Sequence, residues 1–423
     1  MKEKHTCFCW SLGNRSKFWI FLLCTGIAIF SMQTVYKDQI LSRTPSAAEP
    51  LPIRLTIPVD LVYTWVNGSD PKHQDILRRM IDVLLKNHSL TATRARNLGT
   101  HRFADNDALR YSLRSVEKHA DWIRHIFIVT NGQVPGWLNL RNSKVTIVNH
   151  EDIFDDPDDL PTFSSHSIEH NIYKINGLSE GFIYMNDDFF FGQNVSLEDF
   201  YTEDAGTKVV FSTWTASTVC GGKCSANLIR NGVCDTTCNY DHCAWDGGDC
   251  DEIPERLRPK DDGTSHCDYT TSIFFTNALY NRVFGARIRK VPAHTPLFIK
   301  KTVFQDFVKR FPNEIKATTK NKIRSPLDFQ FEFSYVYFQM EGQSSARFKA
   351  FYSSSLYSFV MLFANEDKAR KDLDMLRKTK KKFICLNDDI DYKKTREAQV
   401  TVRLLHEFYE AMFPKRSSFE IVD

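Results

Sequence analysis

The spacing of hydrophobic positions changes several times along the chain, and each spacing predicts a different element. Four short apolar runs, "VDLVYTWV", "HIFIVT", "KVTIVN" and "GFIYMN", end in polar turns and predict buried strands. The stretch "DNDALRYSLRSVEKHA" has helical spacing instead, with Leu109, Leu113 and Val116 on one face. Strands that alternate with helices predict an α/β domain with a mostly parallel sheet.

Two later stretches predict less about the sheet. "SPLDFQFEFSYVYFQM" is strongly aromatic, and its pattern fits a helix or a strand equally well. "EDKARKDLDMLRKTKKKF" predicts a charged helix. Its Lys/Arg run is interpreted as a solvated face, with a membrane surface or a protein partner as the alternative.

The N-terminal apolar run "FWIFLLCTGIAIFSM" carries no charge and follows several basic residues. It favours a transmembrane anchor at 18–36 with a cytoplasmic tail at 1–17, because a run of about 19 apolar residues can span a bilayer. A cleaved signal peptide and a buried helix are the alternatives. The polar residues 37–56 predict a stem, and the globular domain follows in two parts at 57–215 and 265–423.

The composition is that of a globular protein, since 42% of the 423 residues are hydrophobic and 25% are charged. The formal net charge of only +3 argues against a nucleic-acid-binding surface. Most of the 11 cysteines follow the predicted anchor, which favours an oxidising lumen. N-glycosylation sequons at Asn87, Asn194 and, more weakly, Asn67 are compatible with that compartment.

A cysteine-rich insert at 220–250 separates the two parts of the domain. Its sequence, "CGGKCSANLIRNGVCDTTCNYDHCAWDGGDC", has six cysteines in 31 residues and cannot build a core of its own, so disulfides or a metal must stabilise it. The oxygen-bearing residues of "NGVCD" and "WDGGDC" favour Ca²⁺, and a zinc–thiolate site is the alternative. Six cysteines allow 15 pairings, and the sequence alone does not choose among them.

Two adjacent acids, Asp187 and Asp188, lie inside the apolar stretch "FIYMNDDFFFG". Buried charge is costly unless it is paired or bound to a metal. Carboxylates at a strand end can hold Mg²⁺ or Mn²⁺ on a nucleotide diphosphate, and a turn or helix cap is the alternative. Ligands of parallel sheets bind at the carboxyl ends of strands. The candidates are therefore the polar residues that follow the predicted strands: Asn67, Ser69, Asp70, Asn131, Asn186, Asp187 and Asp188.

Five motifs occur in one order along the chain: "DLVYTWVNGSDP", "RFADNDALRYSLRSVEKHADWIRHIFIVTNGQVPGWLNL", "HSIEHNIYKINGLSEGFIYMNDDFFFG", "HTPLFIKK" with "IRSPLDFQFEFSYVYFQ", and "FICLNDDID". Together they resemble the four conserved regions of the Stealth family of sugar-phosphate transferases. The insert resembles a Lin-12/Notch repeat, which bacterial Stealth members lack, so it points to the animal branch. The longer animal members carry two such repeats and a long spacer, whereas this chain has one repeat and a short spacer.

For the insert, the resemblance implies three disulfides: Cys220–Cys243, Cys224–Cys238 and Cys234–Cys250. It also implies a Ca²⁺ site whose ligands are the backbone of Leu228 and the side chains of Asn231, Asp246 and Asp249. Outside the insert, Cys267 and Cys385 remain without an assigned partner, and we expect them to form a fourth, weakly predicted disulfide.

For the domain, the resemblance implies a nucleotide-sugar transferase-like α/β fold and the transfer of GlcNAc-1-phosphate from UDP-GlcNAc. The expected acceptor is the 6-hydroxyl of mannose on the high-mannose glycans of lysosomal enzymes, and UMP leaves. The expected setting is the Golgi membrane with a lumenal (type II) catalytic domain, a homodimer and a possible recognition subunit. The alternatives are a Stealth-type hexose-1-phosphate transferase with another donor or acceptor, and a non-enzymatic receptor whose Notch-type module binds ligand.

The resemblance also assigns roles to individual residues. Asp188 is expected to hold Mg²⁺ or Mn²⁺, and His294 is expected to act as general base because the pKa of histidine lies near working pH. Glu169 would orient the histidine or contact the sugar, and Arg324 would contact the phosphates. The structural alternatives are a packed core position for His294 and a surface salt bridge for Arg324. The expected substrate-binding residues are Trp65, Asn67, Asp70, Arg102, Asp105, Arg110, Asn186, Asp187, Asp328, Gln330, Asn387 and Asp388, with core packing and helix capping as the alternatives for Trp65 and Asp105.

Overall fold

The structure, a computed structural model, describes most of the chain after residue 56. The described residues are 57–87, 90, 103–216, 233–235, 268–285, 287, 289–343, 347–351 and 355–421. The predicted tail, anchor and stem lie outside them, as does most of the cysteine-rich insert. In the part of the chain that is described, no helix is both long enough and apolar enough to span a membrane.

The first four strands coincide with the four apolar runs that predict buried strands. In chain order, the strands are β1 (Val59–Thr64), β2 (Ile126–Thr130), β3 (Val145–Asn149), β4 (Gly181–Asn186), β5 (Phe189–Phe191), β6 (Tyr201–Thr202), β7 (Gly206–Thr215), β8 (Lys290–Pro292), β9 (Leu297–Lys300), β10 (Phe348–Phe351), β11 (Tyr357–Leu362) and β12 (Phe383–Asp388).

The helices lie between these strands and after them. They are α1 (Pro71–Lys86), α2 (Ala108–His119), α3 (Ser165–Glu169), α4 (Asp268–Phe284), α5 (Lys301–Arg310), α6 (Pro312–Thr319), α7 (Phe331–Tyr337), α8 (Glu366–Thr379) and α9 (Thr395–Met412). Short 3₁₀ turns occur at His150–Asp152, Pro157–Asp159, Ile172–Lys174 and Leu197–Asp199, and a π-helical turn occurs at Phe338–Gly342.

The largest sheet has the strand order β3-β2-β1-β4-β9. Its first four strands are parallel, and β9 adds an antiparallel edge to β4. The chain moves outward from β1 to β2 and β3 and then returns to the other side of β1 with β4. The order of strands therefore reverses between β1 and β4, which is where open α/β sheets form a ligand-binding crevice at the carboxyl ends of their strands.

Both faces of this sheet are buried, which explains why its strands are almost continuously apolar. On one face, Val62 and Tyr184 join an aromatic-rich core with residues of α5 and α7. On the other face, Leu61 and Met185 pack against Leu113 of α2. The alternation of side chains along each strand thus feeds two separate cores.

Two smaller sheets complete the fold. One has the order β10-β7-β6, with β8 paired to β7, and the other has the order β11-β12-β5. In the latter, β11 and β12 are parallel and β5 is antiparallel to β12. One face of this sheet carries Phe190, Leu386 and Val360, which pack with α8 and α9 in a third core. Because β5 follows β4 after a two-residue turn, this sheet meets the main sheet at Asp187 and Asp188.

The fold confirms a mixed α/β architecture with a mostly parallel main sheet, although the smaller sheets contain antiparallel pairs as well. The ambiguous aromatic stretch forms α7, with Gln330 as its N-cap. Its side chains are buried around the whole helix, so hydrophobic spacing could not distinguish it from a strand. The charged stretch forms α8, as its spacing predicted.

Candidate active site

A pocket of about 460 Å³ opens beside the carboxyl ends of β1 and β2. It brings together four residues that the sequence assigned to substrate binding: Trp65, Asn67, Asp70 and Asp105. The turn after β2 supplies the opposite wall, where Gly132 adopts a φ of +91° that favours glycine. The volume lies within the range of small-molecule sites in proteins.

Hydrogen bonds within the pocket wall hold its two loops together. The backbone N–H of Asn67 donates to Gln133 Oε1 at 2.8 Å, and Gln133 Nε2 donates to Asp70 Oδ2 at 2.9 Å. Asp70 is also the N-cap of α1 and accepts from the backbone N–H of Lys72 at 2.9 Å. The bond from Gln133 and the capping bond lower the pKa of Asp70. The wall is therefore shaped before any ligand binds.

Two side chains of this pocket retain polar atoms without a partner. Asn131 Nδ2 lies 3.0 Å from His73 Nδ1, whereas Asn131 Oδ1 and His73 Nε2 are buried without a hydrogen-bond partner among the described residues. Burial lowers the pKa of His73. Unsatisfied buried polar atoms are uncommon in folded proteins, so these two atoms are available to a ligand.

A cluster of carboxylates lies at the ends of β4 and β12. Burial, and then repulsion from Asp188 and Asp105, raises the pKa of Asp187 well above its usual range. Burial raises the pKa of Asp188 to about 7 and that of Asp105 to about 6. Asp388 faces the same cluster and adds to the pKa shift of Asp188. The energy cost of holding these charges together is characteristic of a functional site.

The members of the cluster differ in how they are satisfied. The Oδ1 atom of Asp188 is buried and has no hydrogen-bond partner among the described residues. Asp388 accepts hydrogen bonds from Asn106 Nδ2 at 2.7 Å and from the hydroxyl of Tyr392 at 2.6 Å. Asp388 is therefore locked in place, while Asp188 retains an unused oxygen. Asn387 precedes Asp388 at the same strand end and is half-buried.

The disulfide predicted between Cys267 and Cys385 is wrong, because Cys385 is a free, buried cysteine. Cys385 lies in the central strand β12 of its sheet, and its thiol donates to Asp188 Oδ2 at 3.7 Å. Burial and the nearby Asp188 charge raise the pKa of Cys385 well above its usual range. This cysteine therefore remains a neutral thiol that supports one of the candidate metal ligands.

The hydroxyl of Tyr184 links Glu169 to the end of β4. It lies 3.1 Å from Glu169 Oε1, 2.8 Å from Asn186 Oδ1 and 3.0 Å from the hydroxyl of Thr64. Glu169 is buried at the end of α3. Burial and the Glu169 charge raise the pKa of Tyr184 well above its usual range, so the phenol keeps its proton.

His294 and Arg324 lie near each other, and the ring centroid of His294 is 6.5 Å from that of Phe189, the residue after Asp188. Burial and the Arg324 charge lower the pKa of His294 to about 4, so the ring is neutral at pH 7. The expectation that this pKa lies near working pH is thus corrected. A neutral imidazole can still accept a proton. His294 Nε2 lies 3.3 Å from the hydroxyl of Tyr269, and Arg324 donates to the hydroxyl of Ser165 at 2.9 Å.

Three predicted substrate-binding residues have clear structural contacts. Asp328 is fully buried and accepts from Asn321 Nδ2 at 2.6 Å and from the N–H of Ser325, next to Arg324. Gln330 caps α7 through the N–H of Phe333 at 2.6 Å. The third residue, Arg110, donates to Glu420 Oε2 at 2.7 Å. These contacts explain the positions of the three side chains even if no ligand binds to them. Their binding to substrate stays a prediction.

Several predictions fall outside the described residues: Arg102, the Ca²⁺ ligands Leu228, Asn231, Asp246 and Asp249, and the pairs Cys220–Cys243 and Cys224–Cys238. Cys234 is disulfide-bonded, and its expected partner Cys250 is not among the described residues. Of the sequons, Asn87 and Asn194 are exposed. Asn67 lines the pocket, where a glycan would compete with a ligand for space.

Asp187 and Asp188 are the residues that fit a divalent cation. Among the described residues, no three or more His, Cys, Asp or Glu side chains form a closed metal-binding group. Mg²⁺ typically takes only one or two carboxylates and completes its shell with water and substrate phosphates. The unused Asp188 oxygen and the raised pKa values of both acids suit such an open arrangement.

Comparison with known protein families gives four matches in the order of the sequence motifs. They are Stealth protein conserved region 1 at residues 58–79, region 2 at 102–209, region 3 at 293–341 and region 4 at 374–423. Together they cover more than half of the chain. The chain belongs to the Stealth family. Residues 218–251 match the LNR domain of the Notch type. Every predicted catalytic and substrate-binding residue lies inside one of the four Stealth regions.

Relatives occur in animals and bacteria. The chain is 54% identical over 154 residues to the N-acetylglucosamine-1-phosphotransferase subunits alpha/beta of Mus musculus, which covers 36% of this chain and 12% of that protein. It is 29% identical over 383 residues to an exopolysaccharide phosphotransferase of Streptomyces coelicolor, and this alignment covers 89% of this chain and 55% of that protein. It is also 29% identical over 369 residues to a capsular polysaccharide phosphotransferase of Neisseria meningitidis serogroup A, and this alignment covers 86% of this chain and 57% of that protein. The chain thus spans about half the length of these bacterial relatives.

Sequence reasoning missed some of the side chains at this site. Tyr184 was interpreted as part of a buried strand, although Tyr184 and Asn186 have the two-residue spacing of a shared face. Glu332 of α7 was also missed, and burial together with the Glu169 charge raises its pKa to about 8. The only signal for Glu332 was a single acid within an aromatic run.

Proposed function

We propose that this protein transfers GlcNAc-1-phosphate from UDP-GlcNAc to the 6-hydroxyl of a mannose residue and releases UMP. The observation that carries the proposal is a chain of contacts from the pocket to His294. Asp105 lines the pocket and its charge acts on Asp187, and the His294 ring lies 6.5 Å from that of Phe189, the residue after Asp188. The names of the relatives, all of which are phosphotransferases, support the reaction type. N-glycans of lysosomal enzymes are the proposed acceptors.

The donor would bind with its nucleotide in the pocket after β1 and β2. Trp65 and Trp137 supply aromatic surface there, and Asn131 supplies the unpaired Oδ1 acceptor. Aromatic surface together with a few polar atoms is the usual composition of a nucleotide-sized site. The diphosphate would then extend from the end of β1 towards Asp187 and Asp188 at the end of β4.

In the proposed reaction the acceptor hydroxyl attacks the phosphorus atom attached to the sugar. A new P–O bond forms to the acceptor oxygen, and the P–O bond to UMP breaks, so the sugar's anomeric bond is kept. Neutral His294 takes the proton of the attacking hydroxyl. Arg324 faces the phosphoryl oxygens, and Tyr184 holds Glu169 in place beside them.

The proposed cofactor is Mg²⁺ or Mn²⁺, held by Asp188 with Asp187 beside it. When bound, the cation would neutralise charge on the diphosphate. We propose Ca²⁺ for the Notch-type repeat as well, where oxygen-bearing residues accompany the cysteines.

The setting is also a proposal. The N-terminal apolar run, the cysteine content and the sequons support a membrane-anchored enzyme whose catalytic domain faces the Golgi lumen. A homodimer and a separate recognition subunit are further parts of this proposal.

A second candidate differs only in substrates. The bacterial relatives align with 86% or more of this chain, whereas the mouse relative aligns with 36% of it. The crevice could therefore serve a different sugar nucleotide or another glycan acceptor with the same attack on phosphorus.

One assay tests both candidates. The purified chain is incubated with labelled UDP-GlcNAc, Mg²⁺ and α-methylmannoside, and in parallel with other hexose glycosides. Formation of GlcNAc-phospho-mannose together with UMP is expected, and a product with another hexose alone would favour the second candidate. Release of UDP would contradict both, because it indicates glycosyl transfer. His294→Gln should abolish turnover, whereas His125→Gln, remote from the crevice, should not.

A further inference from the structure

Strand β11 exposes two large apolar side chains near the candidate base His294. Phe359 is 39% exposed and Met361 is 36% exposed, whereas Val360 and Leu362 between and after them are buried in the third core. Single exposed apolar side chains are common on proteins and need no explanation. What distinguishes this pair is its position relative to the candidate catalytic residues.

The register of the sheet places Phe359 in line with the acid pair. Phe359 is paired with Cys385 of β12, and Cys385 is paired with Phe189 of β5, which follows Asp188 directly. Paired residues on neighbouring strands project from the same face of a sheet. Met361 is paired with Asn387 one step further along the same face. The exposed apolar surface is thus continuous with the thiol that contacts Asp188.

The same face is covered at its other end. Phe383 and Phe191, which are paired across β12 and β5, are buried in the second core. The face changes from buried to exposed at the level of Phe359, where β11 emerges beside the crevice. An exposed apolar surface next to the candidate base is suited to bind part of a substrate.

The ring of Phe359 also borders the candidate base. Its centroid lies 5.0 Å from that of His294, with an angle of 33° between the planes. The ring centroid of Phe189 lies 6.5 Å from that of His294. A ligand that covers the exposed face of Phe359 would therefore bring its edge close to the imidazole.

We infer that Phe359, with Met361 beside it, is the binding platform for the acceptor sugar. This inference rests on the proposed function and specifies its acceptor site. A hexose ring has an apolar face of C–H groups that can cover an aromatic ring, while its hydroxyl groups remain at the edge. Stacking on Phe359 would place a hydroxyl beside His294, and such orientation is a large part of what an enzyme contributes to a two-substrate reaction.

The position of the platform in the chain agrees with a role in acceptor choice. Phe359 and Met361 lie between the third Stealth region, which ends at residue 341, and the fourth, which begins at residue 374. The candidate catalytic residues all lie inside the matched regions. A site outside the shared regions can vary among relatives whose names refer to different products.

The test compares Phe359→Ala with Phe359→Trp and with Leu140→Ala, a control for loss of an exposed apolar side chain elsewhere. For Phe359→Ala, the KM for α-methylmannoside should rise about tenfold, because aromatic contacts and buried apolar area are lost. Hydrolysis of UDP-GlcNAc with water in place of the acceptor should stay within about twofold of wild type. Phe359→Trp should keep the low acceptor KM, and Leu140→Ala should change neither quantity.

Three results would overturn the inference. An unchanged acceptor KM in Phe359→Ala would show that Phe359 does not bind the acceptor. An equal loss of transfer and hydrolysis would show that Phe359 only supports His294. A Phe359→Ala variant that changes from dimer to monomer in size-exclusion chromatography would assign the surface to a second copy of the chain.

Binding measured without turnover separates this inference from the proposed function. Saturation-transfer NMR titrations with α-methylmannoside should show the same affinity for wild type and Leu140→Ala and an affinity about tenfold lower for Phe359→Ala. If wild type binds the sugar in this way yet forms no UMP, the proposed reaction fails and the platform stands. If wild type binds no hexose glycoside, the platform fails, whatever the outcome for UMP.

Discussion

Two groups of buried carboxylates in this protein have opposite electrostatics. Glu420 is 1% exposed and is held by Arg114, whose Nε and Nη2 donate to it at 2.7 and 2.9 Å, and by Arg110 at 2.7 Å. Burial alone would raise its pKa, but these bonds and that from the Ser417 N–H outweigh burial and lower the pKa to about 2. For the acid pair Asp187 and Asp188, burial raises both pKa values.

The difference separates structural from functional burial of charge. At Glu420 the fold supplies the counter-charge itself, and the result is an anchor that fastens the C-terminal segment to α2. At Asp188 the described residues leave one oxygen without a hydrogen-bond partner and place further acids nearby. In the part of the chain that the structure describes, the free oxygen has no donor, and a bound ion or ligand would supply the missing positive charge.

The strongest test of this contrast is Asp188→Asn. Transfer activity should fall by about 10³-fold, because the charge that would hold the cation is lost. The free energy of unfolding should stay the same or rise by about 1 kcal/mol, because a repelled buried charge is removed. UMP release and urea unfolding measure the two effects. Asp121→Asn, at an exposed acid, is the matched control. A large loss of stability in Asp188→Asn would contradict the functional interpretation.

Glu420→Gln should behave in the opposite way. It should lower the free energy of unfolding by about 3 kcal/mol, since it removes the buried negative charge that Arg110 and Arg114 share. Activity per folded molecule should remain within about threefold of wild type. Glu366→Gln, which removes an exposed partner of Arg370, should cost less than about 1 kcal/mol. If Glu420→Gln unfolds at the same urea concentration as wild type, the ion pairs of Glu420 do not stabilise the fold by the expected amount.

Acid titration of stability sharpens the same comparison. The pKa of Glu420 is lowered from 4.5 to about 2, so its contribution to stability is present above pH 4.5 and is lost as the pH falls towards 2. This loss should amount to roughly 2–3 kcal/mol. Urea unfolding measured from pH 6 to pH 2 should show it in wild type and not in Glu420→Gln. Parallel curves for the two proteins would exclude Glu420 as the source.

The smallest expected effect concerns Cys385. Cys385→Ser should lower the free energy of unfolding by about 1 kcal/mol, because a hydroxyl replaces a more apolar thiol in a packed strand. In the native wild-type protein, Cys385 should resist alkylation and should react once urea is added. Peptide mapping without reductant gives the readout. A peptide that links Cys385 to another cysteine would contradict the structure.

Much of the fold followed from local pattern. The runs around β1, β2, β3 and β4 were predicted as strands, and the spacing of Leu109, Leu113 and Val116 predicted α2, because side-chain period is set by backbone geometry. For the aromatic stretch of α7, the pattern does not decide between a helix and a strand. A helix that is buried on every side has no polar face to reveal its period.

The candidate site was predictable only in part. The sequence placed Asp187 and Asp188 at a strand end, and the structure places them where the strand order reverses. No local pattern indicates that Cys385 faces Asp188, since 197 residues separate them. Without an assigned partner, Cys385 was predicted to form a disulfide, and a buried reduced thiol looks the same in sequence.

By itself, the sequence determined the strands β1 to β4, the helices α2 and α8, the order of the family motifs and the residue types available for chemistry. These depend on neighbouring residues, whose spacing is fixed along the backbone. Only the tertiary structure decided which charges have partners, because pairs such as Arg114 with Glu420 are 306 positions apart. It also decided that His294 is neutral and borders an exposed Phe359, since burial and proximity are properties of the packed chain.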